Sequence, residues 1–297
     1  MKHESIQLGI VGYGEVGKIF AEGLKSSVAS LTCWDLKLQA APERETLMRH
    51  AESTGVRASR DMLDLCAQSD LIISAVTASN TLSVATEAAQ YLRPGTVFLD
   101  LNSASPGTKQ ACGAVIEAAG GQYVEAGVMT SVPPYGIRVP MLLGGTHAQS
   151  LSTRLQSWGM DATPVAEKLG IASAIKMCRS VMIKGLEALV IESYTTARAY
   201  GVEDHVLPTL VETFPSINWQ EQGSYFFSRV AQHGKRRAEE MRESANTVRE
   251  AGFEPIMAAA IAQKHQWVAD QASNGVFKGL EKNAVWQDMA DRLLAAK

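Results

Sequence analysis

Apolar positions recur along this chain in two rhythms, and the rhythm changes once. In the first half, short β-branched runs alternate with stretches of helical period. Residues 6–11, 31–34, 71–76 and 97–101 read as buried strands of a parallel sheet. Between them, Val16, Ile19, Phe20 and Leu24 carry helical period, a helix starts near Ser59 and runs to Leu65, another spans Asn80 to Tyr91, and Pro106 opens a further one. Strand and helix alternating at this spacing imply right-handed crossovers. After Gly120-Gly121, residues 123–126, 141–143 and 162–165 read as additional strands, with a helix from His147 to Trp158. The segment VMTSVPPYGIRVP joins the first two and reads as a polar loop over a cleft. Beyond Gly170 the pattern is helical throughout. The predicted fold is α/β: an N-terminal doubly wound Rossmann-like sheet over 1–168, then an all-α region over 169–297, joined by a long helix.

That helix covers Gly170 to Tyr200, with no proline and only Gly185 inside it. Ile175, Cys178, Met182, Leu186 and Leu189 recur at three- and four-residue steps and are expected to face a core. Met177, Val181, Ile183, Ala188, Val190 and Ile191 cover other faces, so the helix is expected to be buried on most sides. One small domain supplies too little cover for that, which predicts a homodimer. Lys176, Ser180 and Glu187 fall within roughly 40° of one another at about 100° per residue, with Lys184 a little further round. A buried lysine is paired or loses its charge, and a lysine tuned that way serves as a general acid/base. The alternative is a structural pair between Lys176 and Glu187.

Composition narrows the class. The chain has 297 residues, 46% hydrophobic, with a formal charge of −3, enough for two cores and without a basic surface for nucleic acid. No apolar run approaches a membrane span and the N-terminus lacks a signal-peptide pattern. The four cysteines, Cys33, Cys66, Cys112 and Cys178, show no metal-ligand spacing. A reduced cytoplasmic enzyme without a metal is the expectation.

The first strand flows into GYGEVG, with Gly12, Gly14 and Gly17 in GxGxxG register. Gly12 suits the tight turn, Gly14 the approach of a pyrophosphate, and Gly17 the packing of helix on strand. The turn residues Gly12, Tyr13, Gly14, Glu15, Val16 and Gly17 are therefore candidate cofactor contacts. Asp35 closes the second strand eighteen residues after Gly17, where a carboxylate accepts from the adenosine ribose and repels a 2′-phosphate. This favours NAD, although Lys37 and Arg44 nearby leave NADP open. Val76, Thr77, Asn102 and Ser103 follow strand ends, the usual place for ligands in such sheets.

Together these residues resemble the β-hydroxyacid dehydrogenase superfamily, which includes 3-hydroxyisobutyrate and 6-phosphogluconate dehydrogenases. The glycine turn matches. DLNSASP at 100–106 is similar to the family's D-x-x-[ST/N] stretch, with Ser103 at the substrate-facing position. EAGVMTS at 125–131 stands where the family usually has D-A-P-V-S-G-G. Gly170 to Ser180 resembles the signature GxxxxxKxxxN, with Lys176 as its lysine. Ser180 replaces the asparagine, and Met129-Thr130-Ser131 replaces the Ser-Gly-Gly that holds a substrate carboxylate. KMCRSVMIKGLEAL and HGKRRAEEM are closer to a 6-phosphogluconate dehydrogenase-like branch with its own C-terminal domain.

The resemblance implies an NAD(P)-dependent dehydrogenase for a small 3-hydroxy acid or close analogue, with Lys176 as general acid/base. Ser103 and Ser180 would orient the reacting oxygen, and Met129, Thr130 and Ser131 would line the substrate pocket. His233, Arg236, Arg237 and Glu240 share one helical face, and His233 with Arg237 would clamp an anionic group. A solvated charged face is the alternative. Trp219, Tyr225, Phe226 and Phe227 would line the same pocket or fill a core. Two rivals remain: an imine reductase of the same architecture, which Lys176 argues against, and a non-catalytic dinucleotide sensor, which would need no cleft lysine.

Overall fold

The computed structural model describes residues 6–39, 42–281 and 283–296. Its centre is an eight-stranded sheet built from β1 (Gln7–Val11), β2 (Ser30–Trp34), β3 (Arg57–Ala58), β4 (Leu71–Ser74), β5 (Val97–Asp100), β6 (Gln122–Val128), β7 (Met141–Gly144) and β8 (Ala162–Ala166). The order is β3-β2-β1-β4-β5-β6-β7-β8, with β6 and β7 antiparallel and the remaining neighbours parallel. The reversal between β1 and β4 is the switch point at which such sheets open a crevice for ligands. Helices α1 (Glu15–Leu24), α2 (Glu43–Thr54), α3 (Met62–Ala67), α4 (Thr81–Ala89), α5 (Pro106–Ala118) and α6 (Ala148–Ser157) provide the connections. Leu8, Ile10, Leu71, Ile73, Phe98 and Leu99 are buried in one apolar core.

Two elements escaped the sequence pattern. β3 has two residues, too few for a period, and α2 buries only Leu47 and Ala51 among its residues. The loop after β6 is less polar in effect than in composition. Val132 and Val139 are buried in the core, and a Cβ on Gly23 of α1 would meet Ile137 at 2.4 Å.

From Ile171 the chain is helical: α7 (Ile171–Tyr200), α8 (Glu203–Thr213), α9 (Trp219–Glu250), α10 (Ile256–Ser273) and α11 (Trp286–Ala295). Contacts divide the chain into two compact units, and the division falls within α7, after Met177. In the second unit, Ile191, Tyr194, Trp219, Phe227, Val268 and Trp286 form an apolar core. Trp219 and Phe227 therefore fill a core, Phe226 packs against it, and Tyr225 is exposed.

The facing of α7 differs from the sequence expectation. Met182 is 67% exposed and Leu189 58%, with Ile175 and Cys178 also exposed. Ser180, Lys184 and Glu187 are buried in their place. With apolar residues on every face, the period of this helix does not select one. Lys184 and Glu187 meet polar partners on α9, Glu240 and Arg237.

Candidate functional site

The glycine turn is built by three different demands. Gly12 has φ +89°, and a Cβ there would also meet the Ala75 carbonyl oxygen at 2.5 Å. A Cβ on Gly17 would sit 2.1 Å from the Gly12 carbonyl oxygen, so this glycine is fixed by helix–turn packing. A Cβ on Gly14 would meet nothing within 4 Å. Gly14 is also the N-cap of α1 and offers no side-chain cap. Bare backbone, open space and an uncapped helix start together make a cradle for a phosphate group. Glu15 is exposed and Val16 half-buried at the same turn.

Asp35 stands beside this turn. Its Oδ2 accepts from the Tyr13 amide at 2.8 Å and its Oδ1 from the Lys37 amide at 2.9 Å. The carboxylate thus caps the short helix at 36–38 and braces the glycine turn. Each oxygen keeps a second acceptor position, so ribose recognition remains compatible with both bonds. Lys37 lies 3.6 Å from Glu43 in an exposed pair. Tyr13 is buried, and its hydroxyl shares hydrogen bonds with His50 Nδ1 at 3.0 Å and Thr54 Oγ1 at 3.4 Å. Burial pushes the Tyr13 hydroxyl up to about 12. The residues present therefore fit a dinucleotide.

At the ends of β4 and β5 the main chain is tied by Asn102. Its Oδ1 accepts from the Val76 amide at 2.7 Å, and its Nδ2 donates to Ser74 Oγ at 2.9 Å. Thr77 is exposed and shares a 2.9 Å bond with Asn80. Beneath this loop, buried Asp100 receives Lys109 Nζ at 2.9 Å, the Asn102 amide at 2.9 Å and the Tyr123 hydroxyl at 2.6 Å. Burial, then the Asp100 charge, raises the Tyr123 hydroxyl well above its ordinary value, so it stays a donor. Asp100, Lys109 and Tyr123 were absent from the sequence-derived contact set. A lysine on α5 and a tyrosine on β6 carry no local signal of a shared partner.

On this pinned loop stands Ser103, half-buried, and Lys176 Nζ donates to its Oγ at 2.5 Å. The structure brings together these two residues, which lie 73 positions apart. Met129 and Ser131 are half-buried and Thr130 exposed; the Met129 amide donates to the Pro140 carbonyl at 2.9 Å.

The second unit holds a separate buried polar cluster. Lys184 Nζ donates to Ser180 Oγ at 3.2 Å and lies 2.8 Å from Glu240 Oε2. Arg237 donates through two guanidinium nitrogens to the two oxygens of Glu187, with its Nε at 2.8 Å. His265 Nε2 approaches Glu187 Oε2 at 3.7 Å, too long for a hydrogen bond. Burial first, then the Arg237 and Lys184 cations, holds the imidazole neutral and its pKa down to about 3. The clamp expected of His233 with Arg237 takes another form. Arg237 turns inward onto Glu187, while Arg236 is exposed with Glu240 3.9 Å away. His233 lies at a kink in α9, with φ −130°. Glu187 is thus the partner of Arg237, and the alternative of a Lys176–Glu187 pair gives way to Lys176 on Ser103.

Among the described residues, no group of three His, Cys, Asp or Glu side chains is arranged to hold a metal, and no helix is long and apolar enough to cross a membrane.

Residues 7–149 match the NAD-binding domain of 6-phosphogluconate dehydrogenase, and residues 197–268 match a domain of unknown function, DUF1932. The chain thus joins an NAD-binding domain of the kind found in 6-phosphogluconate dehydrogenase to a C-terminal DUF1932 domain. A crystal structure of a conserved hypothetical protein from Sinorhizobium meliloti is 34% identical, covers 99% of this chain and 97% of that one, and superposes with a TM-score of 0.77. The conserved protein MTH1747, described as structurally similar to 3-hydroxyacid dehydrogenases, is 28% identical over 90% of this chain and 98% of its own, with a TM-score of 0.68. A Mycobacterium tuberculosis 3-hydroxyisobutyrate dehydrogenase with L-serine shares the fold at 15% identity and a TM-score of 0.71, covering 98% of this chain and 99% of that one. A Myxococcus stipitatus imine reductase with NADP+ shares it at 16% identity and a TM-score of 0.55, covering 97% and 99%. Residues 7–149 are an NAD-binding domain, and the chain as a whole has a 3-hydroxyacid dehydrogenase-like fold.

Proposed function

We propose that the protein is an NAD-dependent dehydrogenase of a small 3-hydroxy acid or close analogue. The observation that carries this reading is Lys176 Nζ on Ser103 Oγ at 2.5 Å, in the same unit as the glycine turn. The nicotinamide ring, when bound, accepts or returns the hydride. The first-turn amides of α1 and the bare backbone at Gly14 would hold the pyrophosphate, and Asp35 would accept from the ribose hydroxyls. Ser103 orients the substrate hydroxyl, and Lys176 takes its proton at Nζ during oxidation or supplies one during reduction. Met129, Thr130 and Ser131 bound the substrate side.

A panel of 3-hydroxy acids, including 3-hydroxyisobutyrate and L-serine, tests the activity by NADH absorbance. On the best substrate, Lys176→Ala is expected to lower turnover by roughly 10²–10⁴-fold with NAD affinity unchanged. Lys176→Arg is expected not to rescue it, because a guanidinium keeps its proton. A folded Lys176→Ala protein with normal turnover refutes the assignment; imine reduction without hydroxy-acid oxidation favours the imine reductase reading. Fluorescence titration is expected to show tighter NAD than NADP binding, owing to Asp35.

The protein is also proposed to be a homodimer. Leu189 and Tyr200 line a groove with Val202 and Val206, and exposed Met182 extends the apolar surface of α7. Light scattering at micromolar concentration is expected to give twice the chain mass; a monomeric mass contradicts it.

A further inference from the structure

The start of α7 is anchored from β6 by one carboxylate. Glu125 is fully buried. Its Oε1 accepts from the amides of Gly170 at 2.7 Å and Ala172 at 3.2 Å, and its Oε2 from the Ser173 amide at 3.3 Å. Helix starts leave such N–H groups without intrahelical partners, and the dipole there favours negative charge. A residue on a strand thereby caps a helix 45 positions further along the chain.

The sequence reserves room for this carboxylate. A Cβ on Gly144 would lie 2.5 Å from Glu125 Oε1, and Gly144 has no positive φ that would otherwise call for glycine. β6 meets α7 a second time at Gly127. A Cβ there would lie 2.9 Å from the Ala172 carbonyl oxygen and 3.5 Å from Lys176 Cβ. Glu125 therefore holds the helix start, and Gly127 seats the turn that carries Lys176. The register of α7 on β6 sets where the Lys176 amine lies, and its 2.5 Å contact with Ser103 tolerates little slippage.

We propose that Glu125 is a positioning residue: it fixes the first turn of α7 on β6 so that Lys176 Nζ is presented to Ser103 Oγ. Its catalytic meaning rests on the dehydrogenase reading, whereas the positioning itself can be read without any substrate. Glu125 acts through Lys176 and the main chain of α7. In Glu125→Gln, the side-chain amide turns an NH₂ toward an amide donor, so one of the anchoring bonds becomes a donor–donor clash.

The test uses the full chain labelled with ¹³C at the lysine Cε atoms. The Lys176 resonance is identified by its loss in Lys176→Arg, and Ser103→Ala supplies the position of the released amine. In folded Glu125→Gln, the Lys176 resonance is expected to move to that released position, with NAD affinity within about twofold of the parent because the cradle lies elsewhere. An unmoved resonance in folded Glu125→Gln overturns the proposal, even if the melting temperature falls. Glu125→Asp keeps the charge but withdraws it by one methylene; it is expected to release the amine too, and serves if Glu125→Gln does not fold. With a substrate from the panel, Glu125→Gln is expected to lower kcat about 10²-fold, the effect of a small misplacement, with the KM for NAD unchanged. Adding it to Lys176→Ala is expected to cost nothing further, and additive losses overturn the proposal. Normal turnover of Lys176→Ala sinks the acid/base role of Lys176 alone, and a parent inactive on every hydroxy acid sinks the dehydrogenase reading alone, since the resonance still reports on the positioning.

Discussion

Buried Glu125 of the sheet unit and buried Glu187 of the helical unit are satisfied differently. In the sheet unit, Glu125 accepts from three main-chain amides, and Asp100 accepts from an amide, a lysine and a tyrosine. In the helical unit, Glu187 meets the Arg237 side chain and Glu240 meets Lys184. Main-chain donors are rigid, so the first arrangement holds loops and helix ends in place. Side-chain donors link neighbouring helices without constraining their backbone hydrogen bonds, which α-helices already satisfy internally. The comparison teaches where precision is built. The unit that carries the glycine turn, Ser103 and Lys176 uses Glu125 to fix main chain, and the other uses Glu187 to pair helices.

Removing one member of a side-chain pair is the most severe way to probe this contrast. Arg237→Ala leaves Glu187 buried with its main partner gone and is expected to destabilise the helical unit by about 3–5 kcal/mol. Replacing both by apolar residues of similar volume is expected to restore most of that loss, since the pair's desolvation cost disappears with it. Urea unfolding of the single and double variants measures both. A double variant as unstable as Arg237→Ala would mean that the charges do more than join helices.

A smaller effect comes from His265. Its folded pKa is depressed to about 3 by burial and by Arg237 and Lys184. The unfolded imidazole, with its ordinary value near 6.5, binds a proton that the folded one refuses. Stability from this group is therefore fully present above about pH 6.5 and is lost as pH falls, until the folded imidazole itself protonates near 3. Between pH 7 and 5 the loss is expected to be about 2 kcal/mol. Histidine NMR is expected to show His265 neutral at pH 5. His265→Leu, if folded, is expected to flatten the pH dependence of unfolding; an unchanged slope would exclude His265 as its source.

Legibility in the sequence follows the same division. The glycine turn could be read because backbone geometry demands glycine at defined steps, and the structure meets each demand at Gly12 and Gly17. Lys176 and Ser103 could be placed in one region because each sits in a short segment of recognisable spacing. The partners of Lys184 and Glu187 could not be read. They lie on α9, and for Arg237 and Glu187 the separation is 50 residues. On a helix with apolar residues all round, nothing local says that Met182 is exposed while Lys184 is buried. Glu125 stood in plain view within EAGVMTS, but a strand residue gives no sign that it caps a distant helix.

The fit between Glu125 and Gly144 also constrains how this sequence can change. Position 144 cannot gain a methyl while the glutamate keeps its length, because the new atom would stand 2.5 Å from Oε1. Shortening the acid first opens the space but slackens its hold on α7. The two positions therefore form an epistatic pair, in which the order of substitution matters. Lineages that alter one are expected to alter the other, and to pass through a weakened intermediate on the way.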